Sequence, residues 1–302
     1  GGRRHLSSLT SKVNKALEAY PSMNRAQSPS TKVQSGKQRT KSVNNIAARV
    51  SEKLEEGDVK GAIRLPASED TLAPNNEQTY EALRPKHPPR AVTKHGPPLT
   101  SELNSAICPL LIHERDVTDA IKSFPVGSAG GLDGLRPQHL KDMTSVQTGE
   151  AGQRLITALT DFANLCLAGK IPEAIRPVFC GASLCALSKK GGGIRPIAVG
   201  CTLRRLVAKA ATKLVQERIV LAPTQLGFGV KQGTEAAAHA ARRFVAELKP
   251  GQALLKLDFV NAFNSLSRDI ILRTVNDELP ELFPFISTCY SAGTHLCFGD
   301  FL

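Results

Sequence analysis

Apolar residues recur along this chain at two periods, one helical and one extended. From Asn45 to Arg64 and on to Leu65, the residues Ile46, Val50, Leu54, Val59, Ile63 and Leu65 follow loose helical spacing, broken at Gly57-Asp58, which predicts a short helical hairpin. Asp116–Phe124 predicts a short helix. Over Gln153–Leu167, Leu155, Leu159, Phe162 and Cys166 form one stripe, and Gly169 supplies the stop. Thr202–Val220 predicts a long helix whose stripe is Leu203, Leu206, Val207, Ala210, Leu214 and Val215, ended before Pro223. Thr234 is the natural N-cap of a further helix bearing Ala237, Ala240, Ala241, Phe244, Val245 and Leu248 on one face.

Two short apolar runs, Ser183–Leu187 and Ile194–Val199, flank Ser188-Lys-Lys-Gly-Gly-Gly193, which predicts a β-hairpin with a glycine turn. After Lys249-Pro250-Gly251, the run Gln252-Ala-Leu-Leu-Lys-Leu-Asp258 predicts an apolar strand ending in a single carboxylate. Pro66 to Pro98 reads as loop, because six prolines after Pro66 prevent long helices.

Composition sharpens the picture. Hydrophobic residues make up 41% and aromatics 5%, with no Trp, so aliphatic side chains must fill the core. The net charge of +12 points to a polyanionic partner, nucleic acid first and an anionic membrane surface second. Residues 1–45 carry nine Lys/Arg against the single acid Glu18, and few large apolar residues. Such a stretch predicts a disordered basic arm, either touching phosphates without sequence preference or simply solvated. The chain has no apolar run of roughly 18 residues to span a membrane, and its N-terminal stretch has no apolar signal core, so an intracellular protein, nuclear or cytoplasmic, is expected. Seven cysteines without a C-x-x-C motif predict buried free thiols rather than a zinc site or a disulfide framework.

Four places could carry chemistry. The loop Pro125-Val-Gly-Ser-Ala-Gly-Gly-Leu-Asp-Gly-Leu-Arg-Pro137 either approaches phosphates through exposed N–H groups or is a plain loop. Lys189 and Lys190 at the hairpin tip, with Arg195 just inside the returning strand, suit a triphosphate tail or form a solvated tip. Arg204, Arg205, Lys209 and Lys213 lie mostly off the apolar stripe of their helix and face either a phosphate backbone or solvent. Asp258, at the end of an apolar run, is a metal ligand or the cap of a following helix.

In chain order, S-A-G-G-L-D-G-L-R-P-Q-H-L-K (128–141), A-L-S-K-K-G-G-G-I-R-P-I-A-V (186–199), Q-L-G-F-G-V-K-Q-G-T-E (225–235) and L-K-L-D-F-V-N-A-F-N-S-L (255–266) form a series. It resembles the reverse transcriptase domain of non-LTR (LINE-like) retrotransposons from about Asp116 onward. The resemblance implies that Lys189, Lys190 and Arg195 grip an incoming deoxynucleoside triphosphate. It implies that Asp258 ligates a catalytic Mg²⁺ with the Phe259 carbonyl nearby, and that Phe263 excludes a ribose 2′-hydroxyl. The chemistry would be two-metal phosphoryl transfer on an RNA template and a DNA primer.

The sequence departs from that pattern at two points. Asn264 stands where many members have a second Asp, and neither a [Y/F]-x-D-D nor a Q-G-D-P motif follows; Phe298-Gly-Asp300 holds one acid. The expectation is therefore a truncated α/β (α+β) fold, an incomplete right-hand polymerase. In it the 183–199 hairpin and a 252–258 strand share an antiparallel sheet flanked by helices, and Asp258 faces a cleft lined by Lys189, Lys190 and Arg195. The expected organisation is a basic arm (1–45), a helical and Pro-rich connection (46–110) and a partial reverse transcriptase-like domain (111–302). The expected function is a fragment of an RNA-directed DNA polymerase, inactive alone for want of the later carboxylates. The alternative is a non-catalytic nucleic-acid-binding protein built on the same half-domain.

Overall fold

The computed structural model describes residues 48, 50–51, 53–55, 58–67, 71–88, 108–189 and 192–301. The basic arm at 1–45, and Lys190 at the hairpin tip, lie outside the described residues. Apart from residue 48, the described residues all belong to one compact unit, Val50–Leu302.

In chain order the helices are α1 (Val59–Ala67), α2 (Glu77–Leu83), α3 (Glu114–Lys122), α4 (Pro137–Met143), α5 (Gly149–Leu167), α6 (Arg176–Phe179), α7 (Thr202–Val215), α8 (Gly233–Ala246), α9 (Arg268–Glu278) and α10 (Phe283–Tyr290). The strands are β1 (Thr71–Leu72), β2 (Ala182–Ser188), β3 (Ile194–Gly200) and β4 (Leu296–Cys297). The protein is thus mixed helix and sheet, as expected.

The main core forms where α3, α5 and α7 meet. Val117, Ala120 and Ile121 come from α3, Leu159, Ala163, Cys166 and Leu167 from α5, and Leu206, Val207, Ala210, Ala211 and Val215 from α7. Leu282 and Phe285, around the start of α10, close it. Each fully buried Leu or Ile here contributes about 1.5–3 kcal/mol relative to exposure. Helix α3 starts where the Asp116 carboxylate accepts the His113 N–H at 2.8 Å, which satisfies one donor that a helix start leaves open. Just upstream, the backbone of buried Ile112 has no helical partners. The Asn164 side chain of α5 supplies both, accepting its N–H and donating to its carbonyl at 3.0 Å each. Helix α5 stops at Gly169, whose φ of +71° places its N–H on the Cys166 carbonyl while Lys170 N–H reaches the Leu165 carbonyl.

The hairpin forms as the two apolar runs and the glycine turn between them predict. β2 and β3 pair antiparallel over their full lengths, from Ala182↔Gly200 to Ser188↔Ile194. β2 is the central strand: its other edge takes β1 antiparallel at one end (Leu72↔Leu187) and β4 parallel at the other (Ala182↔Leu296). Pro196, which cannot donate to a ladder, sits on β3, which pairs only with β2 among the described strands. Leu184 and Ala186 turn to one face and pack with Leu83 of α2 and with Phe298, while Tyr80 stacks on Phe301 at 4.8 Å.

Three expectations need correction. The Pro-rich stretch is not all loop: Asn76 caps α2 by accepting the Thr79 N–H at 2.9 Å, and the preceding residues form β1. The N-cap position of α8 is held by Gln232, whose side chain makes no capping hydrogen bond, and Thr234 lies inside the first turn. Residues 252–259 form no strand; they are irregular and exposed, with Leu255 at 78%. A strand needs ladder partners for its backbone groups, and residues 252–259 pair with no described strand, not even along the outer edge of β3, which is left open. The apolar face of α8 is likewise left uncovered, with Phe244 and Val245 exposed, as is Leu248 just past its end.

Candidate nucleic-acid interface

The turn between β2 and β3 needs glycine for a physical reason. Gly192 and Gly193 both have φ above +80°, a region closed to most side chains. The turn closes through Lys189 N–H to the Gly193 carbonyl and Gly192 N–H to the Lys189 carbonyl, 3.1 Å each. Lys189 therefore stands exposed at the tip, and Arg195, opposite Leu187 in the ladder, is exposed on β3. The hairpin geometry brings these two cations to the same end of one rigid ribbon.

Asp258 is exposed within the irregular 252–259 segment, and so is Phe259, at 74%. Phe263 lies in a short 3-10 turn, Ala262–Ser265, and is 91% exposed. The turn is anchored elsewhere: the Asn261 and Asn264 side-chain amides both donate to the Lys86 carbonyl at 2.8 Å. Asn261 adopts a left-handed conformation (φ 54°), which its short polar side chain tolerates. Asn264, read in the sequence as the place of a missing carboxylate, thus serves as a tether to the end of the α2 segment.

A second set of cations has a structural use that the helical pattern could not display. Arg205 of α7 donates to the Ala129 carbonyl at 2.6 Å, and its guanidinium lies 5.4 Å from the Phe124 ring centre. Lys209 sits 5.3 Å from the same ring, and Lys213 pairs with Asp119 at 2.8 Å. That hydrogen bond and charge hold the Asp119 carboxyl below its usual range. The Gly-rich loop is pinned against α7 as well. Thr202 donates to the Leu135 carbonyl, and a Cβ on Gly131 would come within 2.8 Å of the Cys201 backbone. The glycines at 130 and 131 are there for close backbone packing, and Arg205 and Lys213 are committed to protein partners.

The cysteines also differ from expectation. All seven are free thiols, but only Cys166 and Cys180 are buried; Cys108 is exposed and the rest are half-buried. Cys180 and Cys289 lie with their sulfurs 3.8 Å apart, a pairing across 109 positions that no spacing motif announces.

Asp258 does not gather an ion site around it among the described residues. Among the described residues no three His, Cys, Asp or Glu side chains come together as a metal-binding group, and Asp258 offers one solvated carboxylate. One such ligand does not fit a catalytic Mg²⁺, which takes further oxygen donors to hold it in place. Among the described residues, no helix is long and apolar enough to cross a membrane.

No model of a known protein family matches the chain, and no curated protein matches it. The fold and surface define a mixed α/β protein: a three-helix core carrying a small sheet, whose central hairpin presents a basic, glycine-built turn to solvent.

Proposed function

We propose that these 302 residues form the fingers-side part of a reverse transcriptase-like protein and bind nucleic acid through the β2–β3 turn. The observation that carries this reading is the hairpin itself. The second of the four sequence blocks folds as strand, glycine turn and strand, with Lys189 and Arg195 exposed at one end. Lys offers a point charge and Arg a bidentate fork, the combination that suits a triphosphate or a phosphodiester backbone. The net charge of +12 supports the same partner class, with RNA template, DNA primer and deoxynucleoside triphosphates as ligands. In the right-hand polymerase arrangement these residues would be fingers and the beginning of the palm.

These residues alone lack the means of catalysis. Two-metal phosphoryl transfer needs carboxylates around both ions, and the chain supplies only Asp258 at the matching position. That solitary, solvated carboxylate favours a second reading, in which the chain binds nucleic acid without polymerising it.

The test is a binding titration of a labelled RNA–DNA primer–template against the full chain and the Lys189→Ala/Arg195→Ala variant. Binding that weakens with salt and weakens again in the variant is the expected result. Wild-type and variant chains that bind equally, or not at all, would end the hairpin assignment.

A further inference from the structure

Away from the hairpin, reactive side chains gather at the seam between α6, β2 and α10. Cys180 follows α6 directly, and its N–H is held by the Arg176 carbonyl at 2.8 Å. The seam is then tied across. His295 N–H bonds the Pro177 carbonyl and Ala182 N–H bonds the His295 carbonyl, 2.9 Å each. Gly181 lies between them with no room for a side chain, since a Cβ there would come within 2.5 Å of the His295 carbonyl. These bonds hold the Cys180 backbone against the chain that leaves α10. Cys289, on α10, completes the pair: its sulfur is 3.8 Å from that of Cys180, whose thiol also points toward the Thr288 carbonyl at 4.0 Å.

The surroundings favour charge on one of the two sulfurs. Arg204 of α7 reaches this seam, with Nη2 3.4 Å from the Gly181 carbonyl, and its buried Nε has no hydrogen-bond acceptor. A buried donor without an acceptor is costly, and the Arg204 charge acts on the Cys180 sulfur in the direction that favours a thiolate. The Cys289 S–H bond, aided by Arg204 and Arg176, brings the Cys180 thiol down to about 7 against the opposing effect of burial. The same bond, with burial, raises Cys289. Cys166, the neighbouring thiol on α5, is pushed up to about 12 by burial and stays protonated.

We propose that Cys180 and Cys289 form a peroxide-sensitive dithiol that closes to an intramolecular disulfide, with Cys180 as the attacking sulfur and Cys289 as the resolving one. In the first step the Cys180 thiolate attacks one oxygen of hydrogen peroxide. The O–O bond breaks, hydroxide leaves, and Cys180 becomes a sulfenic acid. In the second step the Cys289 sulfur attacks the sulfenic sulfur, an S–S bond forms, the S–O bond breaks, and the Cys289 proton departs with the hydroxyl as water. The dithiol loses two electrons and the peroxide gains them. The sulfurs must approach from 3.8 Å to about 2.05 Å to form the bond. The resulting link would lock α10 to the start of the central strand. This inference is independent of the nucleic-acid reading.

The test uses the full reduced chain in a Cys185→Ala/Cys297→Ala background, because those cysteines share tryptic peptides with Cys180 and Cys289. After treatment with hydrogen peroxide and blocking of the remaining thiols, mass spectrometry is expected to find one peptide pair joined through Cys180 and Cys289. Cys289→Ser should abolish the link and leave Cys180 trappable as a sulfenic acid by a dione reagent, a readout that folding defects alone would not produce. Arg204→Gln should slow disulfide formation several-fold. No 180–289 link under peroxide, a link that forms from Cys180 to another cysteine instead, or a rate indifferent to Arg204 would overturn the proposal.

Discussion

The Asn261 side chain donates a hydrogen bond to the Lys86 carbonyl at 2.8 Å, joining positions 175 residues apart. Asn264 repeats the contact at the same distance, so one carbonyl accepts two amides. This pair of bonds to a single acceptor ties the exposed Asp258 segment to the end of the α2 region, where the chain has little apolar burial to hold it. Asn261→Val would lose the hydrogen bond, about 1 kcal/mol, and force a β-branched residue into a left-handed backbone, about 1–3 kcal/mol more. Asn261→Gly would lose that bond and the longer one its Oδ1 accepts from Asn264 at 3.3 Å, with no backbone penalty. Limited proteolysis should cut near residues 252–266 fastest in Asn261→Val, more slowly in Asn261→Gly and slowest in wild type.

The contrast between core and exposed leucines makes a second prediction. Leu206 is fully buried between α3, α5 and α7, whereas Leu255 is largely in solvent despite lying in the most apolar run of its region. Leu206→Ala should cost about 2–5 kcal/mol in denaturant unfolding. Leu255→Ala should change stability by less than about 0.5 kcal/mol. A large loss at Leu255 would mean that the run is buried after all.

Salt should reveal how the hairpin is used. If Lys189 and Arg195 each neutralise a phosphate, their double alanine variant lowers the slope of log affinity against log salt by about 2. Removing residues 1–45, with nine Lys/Arg, should lower it further if the arm also touches phosphates. Slopes measured by fluorescence anisotropy decide both points.

Primer extension on an RNA template should be absent for these 302 residues with Mg²⁺ supplied, and Asp258→Asn should leave primer–template binding unaltered. Incorporation of nucleotides by the purified chain would show that one carboxylate at this position is enough.

The thiols give a pH prediction. Cys180 is lowered to about 7 by the Cys289 S–H first, then by Arg204 and Arg176. An acid with a lowered value is mostly thiol below that pH and mostly thiolate above it, so alkylation of Cys180 should accelerate as pH rises through about 7 and then level off. Cys166, raised to about 12 by burial, should stay unreactive across the same range. Rates at each site, read by mass spectrometry of the native chain, would show whether the two curves separate.

Helices α3, α5 and α7 and the β2–β3 hairpin were legible in the sequence because their information is local. A stripe at helical spacing, a glycine stop at Gly169 and a glycine turn at 192–193 act over a few residues. The order of the four motif blocks and the positive charge were legible in the same way. The run 252–258 reads as a strand by composition alone, yet a strand forms only where the tertiary structure brings the run against a sheet edge. β1 and β4 pair with β2 while the outer edge of β3 takes no described strand, and two-residue strands such as β1 and β4 announce none of this. Likewise, the polar face of α7 showed four cations but not their partners. Only packing against Phe124, Asp119 and the carbonyls of residues 129 and 181 committed all four to the protein. The meeting of Cys180 with Cys289 and of Asn261 with Lys86 depends on contacts across more than a hundred residues. Such contacts are set by which surfaces bury together, and that is decided by the whole tertiary structure rather than by any local pattern.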